Sequence, residues 1–408
     1  MRGDFIEMEN QLMPSFSNEQ IKFDVLRQRA FNLRWATVSQ EIIPLTAADP
    51  DFPVAHEIRK AILDYTEEGV FSYGPPEGLP EFRRVAAQVL TQRKKIPSDS
   101  GQILAVDGAA AGMFVVARSI LKPGDEALIF DPVDFLFRQS VEAAGAKAIY
   151  VPMDRETGAF DLAALWKAIT PRTRLIGICN PHNPIGRMMT RQELQIIGEL
   201  AVEHDLWIMN DEVWSDIVFP PHSHFSMASL GGEIAQKTIS VFGFSKTFGL
   251  AGLRVGFVHA PTEKIFESLI QASRARSTST GVSTLSQIAA TAAYEKCWYW
   301  VDAFLAHLLQ ARDYTHNRLS QMPGVKCRKP DGTYVIFPDL RAYGLKSEQM
   351  ADYLLKEAKV AVVPGAPQWF GPGAEGHIRL CFSTSLEVLR EALDRIEEAL
   401  SALPLTER

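Results

Sequence analysis

Seven short runs rich in Val, Ile and Leu punctuate the middle of the chain: Ile103 to Val106, Ala127 to Phe130, Ala148 to Val151, Leu175 to Ile178, Leu206 to Met209, Thr238 to Val241 and Val255 to Val258. Each is strand-sized and bounded by turn residues, and together they read as buried parallel strands. Longer helical patterns lie between them. Helices fit Ala110 to Ile120, Leu162 to Ala168, Arg191 to His204 with Thr190 as N-cap, and Pro261 to Ala272. That alternation restricts the chain to an α/β fold, a largely parallel seven-stranded sheet flanked by helices. After Gly281 the rhythm changes to one long helical stretch, Thr284 to about Leu319, which reads as a connector. Beyond it Gly332 to Pro338, Ala361 to Pro364 and His377 to Phe382 read as strands, closed by a helix from Leu386 to Leu400, the outline of a smaller α+β lobe.

A chain of 408 residues, 46% apolar and 22% charged, is long enough for two packed cores. The 42 basic against 49 acidic residues give a net charge of −7, which argues against a nucleic-acid partner or an anionic membrane surface. No run of 18 apolar residues occurs, and the first nine residues carry acids where a secretion signal needs an apolar stretch, so a cytoplasmic protein is expected. Cys179, Cys297, Cys327 and Cys381 show no metal-ligand spacing, so reduced thiols and no metal are expected.

The chemistry concentrates in three motifs that follow apolar runs. In Phe244-Ser245-Lys246-Thr247-Phe248-Gly249-Leu250-Ala251-Gly252-Leu253-Arg254 a lysine sits in a small-residue turn, where its amine can form an imine with an aldehyde, and an arginine follows that can hold a phosphate. Upstream stand Cys179-Asn180-Pro181-His182-Asn183-Pro184-Ile185-Gly186-Arg187 and Asn210-Asp211-Glu212-Val213-Trp214. In order and residue type these resemble the class I/II aminotransferases of the fold-type I pyridoxal phosphate enzymes, from Leu45 to about Leu400. The resemblance implies a large cofactor-binding domain over residues 46–283 and a small domain formed by 1–45 with 284–408.

It further implies pyridoxal 5′-phosphate as cofactor, an amino acid and a 2-oxo acid as substrates, and a homodimer with shared sites. Lys246 would carry the cofactor as an imine and shuttle a proton; Asp211 would keep the pyridine nitrogen protonated. Asn183 matches the donor to the phenolic oxygen. Gly108-Ala109-Ala110, ahead of a helix, with Ser245 and Arg254 matches the phosphate cradle. Tyr73, in Ser72-Tyr73-Gly74-Pro75-Pro76-Glu77-Gly78, matches a tyrosine that reaches the neighbouring subunit's phosphate. Arg379 matches the clamp for the substrate carboxylate, with Asn183 and Ala48 beside it.

Two positions depart from the family pattern. Asp134, in Asp131-Pro132-Val133-Asp134-Phe135, stands where an aromatic ring that stacks on the cofactor is usual, so Phe135 or another ring takes that role or the stack is absent. Trp214 stands where a tyrosine or histidine usually follows Asp-Glu-Val. The stretch Ala48-Asp49-Pro50-Asp51-Phe52-Pro53, with Trp214-Ser215-Asp216, is also similar to cystathionine β-lyase-like C–S lyases, which makes β-elimination the alternative to transamination. Arg274 and Arg276 lie near a region that reaches a partner's site in this family, and read either as contacts for an acidic side chain or as solvated loop residues.

Overall fold

The computed structural model describes residues 14–154, 157–277 and 280–406. Residues 1–13 of the expected small domain, 407–408 at its other end, and Thr278 and Ser279 of the arginine-containing stretch lie outside the described residues.

All seven expected strands form, at Ile103–Val106, Glu126–Asp131, Lys147–Pro152, Thr173–Cys179, Trp207–Asp211, Thr238–Gly243 and Gly256–His259. Across the sheet they run in the order 103–106, 256–259, 238–243, 207–211, 173–179, 126–131, 147–152. Only Gly256–His259 is antiparallel to its neighbours; the other pairings are parallel. Because the parallel strands point the same way, the turns after Val106, Asp131, Cys179, Asp211 and Gly243 all open at one edge, where ligands bind in open α/β sheets.

Local signals decide the helices. Thr190 caps Arg191–Glu203 with a full capping box, its hydroxyl accepting from Glu193 N while the Glu193 carboxylate accepts from Thr190 N. Gly108–Ile120 packs on the sheet through Gly112, where a Cβ would meet Val241 Cγ1 at 2.8 Å and Val258 Cγ2 at 3.2 Å. One core cluster runs from this helix through the sheet and into the C-terminal elements; a second fills the other face around Leu128, Ile176, Ile197 and Ile208.

The expected single connector is a correction. Two helices form instead, Thr284–Lys296 and Trp298–Gln321, parted at Cys297 (φ −112°, ψ 18°). The first packs on His56–Glu67 and Pro80–Gln92, the second on the C-terminal helix Leu386–Ser401, so the bend lets one segment serve two neighbours. Beyond it, Val335–Ile336, Val363–Pro364 and Ile378–Cys381 form a three-stranded antiparallel sheet, and Val360–Ala361 pairs in parallel with Ile43–Pro44. No described helix is long and apolar enough to cross a membrane.

Candidate active site

At the carboxyl edge of the sheet lies a cavity of about 270 Å³. Ala109, Ala110, Asn183, Asp211 and Trp214 line it from the strand ends. Ser245, Lys246 and Arg254 line it from the turn after Gly243, Ala48 from the segment after Ile43–Pro44, and Arg379 from strand Ile378–Cys381. Gly108 forms the helix start beside Ala109. Ten predicted positions therefore share one cavity, eight from the carboxyl edge of the large sheet and two, Ala48 and Arg379, from outside that sheet.

The Lys246 amine is half-buried and donates to the Ala48 carbonyl at 2.6 Å, while its nitrogen stands 5.2 Å from the centre of the Trp214 ring. Burial lowers its pKa below the ordinary lysine value, with Arg379 acting the same way and Asp49 opposing. The turn that carries it is anchored from behind, for Thr247 Oγ1 donates to Asp216 Oδ2 at 3.2 Å and Asp216 pairs with the buried Lys94 ammonium at 2.5 Å. Asp216 and Lys94 were not expected in this role. Asp216 was legible only as part of Trp-Ser-Asp, and Lys94 lies 122 residues away in sequence.

Asp211 ends its strand with the carboxylate buried and accepts from Val213 N at 3.0 Å. Burial pushes this carboxyl up to about 7, Asp134 adds to the shift, and the Val213 N–H and Lys246 oppose it. An acid with so little to neutralise it calls for a cation from outside the chain.

Asn183 sits in a loop tied to the Asp131–Asp134 turn. His182 sets its ring nitrogen 2.7 Å from the Pro132 carbonyl, and Asp134 N donates to the Asn183 carbonyl at 3.2 Å. The Asn183 amide then bridges opposite charges: Nδ2 donates to Asp134 Oδ2 at 2.8 Å, and Oδ1 accepts from Arg379 at 3.2 Å. Arg379 also donates to the Thr46 carbonyl at 3.2 Å and lies over the Phe370 ring, while its buried Nε has no partner. Burial lowers its pKa and Asp134 opposes that shift; a guanidinium nonetheless stays charged.

The phosphate candidates meet at the start of Gly108–Ile120. Gly108 takes φ +85°, and a Cβ there would come 3.3 Å from the Arg254 guanidinium, which donates to the Asp107 carbonyl at 3.2 Å. Arg254 itself holds φ +49°, a conformation that non-glycine residues adopt at a cost and that collects at functional sites. Free helix N–H groups, a hydroxyl at Ser245 and a guanidinium are the donor set of a phosphate site. With the orphaned Arg379 nitrogen, the buried Asp211 acid and the Lys246 amine, this set fits pyridoxal phosphate and a carboxylate-bearing substrate.

Three predicted residues lie elsewhere. Tyr73 is 91% exposed and borders a separate surface cleft with Arg276, which pairs with Glu267 at 2.9 Å. Arg274 closes a helix at φ +58°. Among the rings at the cavity, Phe135 meets the edge of Trp369 at 5.6 Å, and Trp214 packs edge-on to Tyr334 at 4.7 Å. Trp369, which lines the cavity, was missed, as was Tyr334, buried behind Trp214 with its hydroxyl donating to the Ala48 carbonyl at 3.3 Å; each follows a glycine- or proline-rich turn with no signal of its own.

A family model described as aminotransferase class I and II matches residues 40–396. An aspartate aminotransferase of Pyrococcus abyssi is 35% identical over 90% of this chain and 94% of its own length. The cystathionine beta-lyase PatB of Bacillus subtilis is 30% identical over 88% of this chain and 93% of its own. A solved PLP-bound putative aminotransferase from Clostridium difficile 630 superposes with a TM-score of 0.86, at 28% identity, covering 92% of this chain and 97% of that one.

Proposed function

This chain belongs to the class I and II aminotransferases and is a pyridoxal phosphate-dependent transaminase, and on that premise we propose that Lys246 is the amine that holds the cofactor. When bound, pyridoxal phosphate supplies an aldehyde carbon and a ring that accepts the electrons released when the substrate Cα–H bond breaks. The side chains supply the rest. The Gly108, Ala109 and Ala110 N–H groups, Ser245 Oγ and the Arg254 guanidinium would hold the phosphate, and Asp211 would face the pyridine nitrogen. A cation beside Asp211 would offset the burial that raises its pKa, so the carboxylate would ionise and would keep a ring nitrogen protonated. Asn183 would donate to the phenolic oxygen, with the Trp214 ring beside it. Arg379, Asn183 and Ala48 would receive the substrate carboxylate.

Lys246 would then move the proton. Its lowered pKa leaves a larger share of free base near neutral pH, able to accept a proton at Nζ and return it one atom further along the substrate–cofactor system. The exposed Tyr73 would complete the phosphate site of a second copy, making the active unit a homodimer with shared sites. A large domain over 46–283 and a small one from 1–45 and 284–408 frame the cavity in this reading, and four free cysteines suit a reducing, cytoplasmic setting. β-Elimination is the weaker alternative, since Trp214 occupies the place of the lyases' histidine.

The observation that carries the assignment is Lys246 Nζ in the same cavity as Asp211, Arg379 and the cradle at Gly108. Borohydride reduction of the cofactor-loaded enzyme, followed by peptide mass analysis, should find the pyridoxyl group on the peptide containing Lys246. Label on another lysine would refute the role. Pyruvate and thiol released from cystathionine, with no amino-group transfer, would identify the lyase.

A further inference from the structure

The charges in the cavity do not all find partners in a cofactor and a generic amino acid. Under the roles proposed above, on which this inference rests, Asp211 meets the pyridine nitrogen, Arg254 the phosphate and Arg379 the substrate carboxylate, and Lys246 gives its amine to the cofactor. Asp134 meets no group of either; within the chain its charge faces Arg379 through the Asn183 amide, and burial raises its pKa while Arg379 opposes that shift. Asp134 lines the cavity, half-buried, where the family places an uncharged ring. Its oxygens accept from Leu136 N at 3.1 Å and from Asn183 Nδ2 at 2.8 Å, two of roughly four acceptor positions on a carboxylate. Leu33, Phe135, Trp369 and Phe370 line the same cavity, apolar surface on which an aliphatic stem can lie.

We propose that Asp134 is a specificity-determining residue that selects amino acids whose side chain carries a cation at the end of an aliphatic stem, and that disfavours dicarboxylic amino acids. A cationic end group gives the remaining carboxylate acceptors a charge-assisted partner. A second carboxylate in the same cavity adds like charge where little water remains to screen it. The Asn183 bridge makes Asp134 rigid as well as charged, so it does not swing away from an unwanted anion.

The test uses the cofactor-loaded enzyme and three non-reacting acids of similar length: 4-guanidinobutanoate, hexanoate and adipate, bound in a calorimeter. Wild type should bind the cationic acid at least about tenfold more tightly than hexanoate, and adipate the most weakly. In Asp134→Asn, which keeps the shape and the acceptor for Leu136 N and loses the acceptor for Asn183 Nδ2 equally for all three ligands, the three should converge to within about threefold. Single-turnover rates with lysine, norleucine and glutamate should follow the same order and collapse in the same variant. Wild type that binds adipate as well as the cationic acid overturns the proposal even if no Asp134 variant folds, as does an unchanged order in Asp134→Asn. Wild type that transaminates none of the common amino acids refutes the aminotransferase reading instead, and the binding order still reports on Asp134.

Discussion

Asp211 carries a charge problem that its own chain does not solve, and this makes it a reporter of cofactor binding. Its folded pKa, raised from 3.8 to about 7, favours the protonated form in the folded protein. The stabilisation this brings is fully present below the unfolded value and is lost as pH rises through the folded one. Cofactor-free protein should therefore lose stability between about pH 4 and pH 7, by on the order of 4 kcal/mol from this group. Glu212, also pushed to about 7 by burial, adds to the same fall, so Asp211→Asn should flatten it only in part. Urea midpoints of wild type and variant at pH 5 and pH 7 measure the difference; identical falls would show that Asp211 is not perturbed. Arg379 invites a second test. Arg379→Ala should weaken amino acids by about 2–5 kcal/mol while leaving the corresponding amines nearly unaffected, because only the former bring a carboxylate to the guanidinium. Comparable losses in kcat/KM for both classes would remove Arg379 as the clamp.

Among the elements, the strands were legible because each is apolar along its whole length and bounded by turn residues, and all seven formed within about two residues of expectation. The Thr190 cap was legible because its partner, Glu193, lies within the same helical turn. The break at Cys297 was not, since no Pro or Gly marks it and packing against two different neighbours decides it. Gly112 shows the same competition between local preference and packing. Alanine is favoured over glycine inside a helix by about 1 kcal/mol, but a methyl group 2.8 Å from Val241 Cγ1 would have to push the helix off the sheet. Gly112→Ala should thus destabilise the protein by a net of about 1–2 kcal/mol, overpacking outweighing propensity. A rise in Tm would show that the helix can shift at no cost.

For the whole molecule the test is assembly. If Tyr73 serves a partner's phosphate, mixing an inactive Lys246→Ala chain with an inactive Tyr73→Phe, Arg276→Ala chain should restore activity, since one site of each mixed dimer holds every intact group. Random exchange of subunits should recover about a quarter of wild-type activity per chain. Fully active monomers in sedimentation at assay concentration would end the shared-site idea. The sequence by itself determined the α/β alternation and the turn that presents Lys246, because strand burial, capping and turn chemistry act within a few residues, while the ten residues that share the cavity were named by the resemblance of its motifs to a family. Only the tertiary structure decided that the Asn183 amide joins Asp134 to Arg379, residues separated by 49 and 196 positions, and that Lys94 braces the Lys246 turn through Asp216. Those contacts depend on which loops the sheet order brings to one edge, and no local pattern encodes that order.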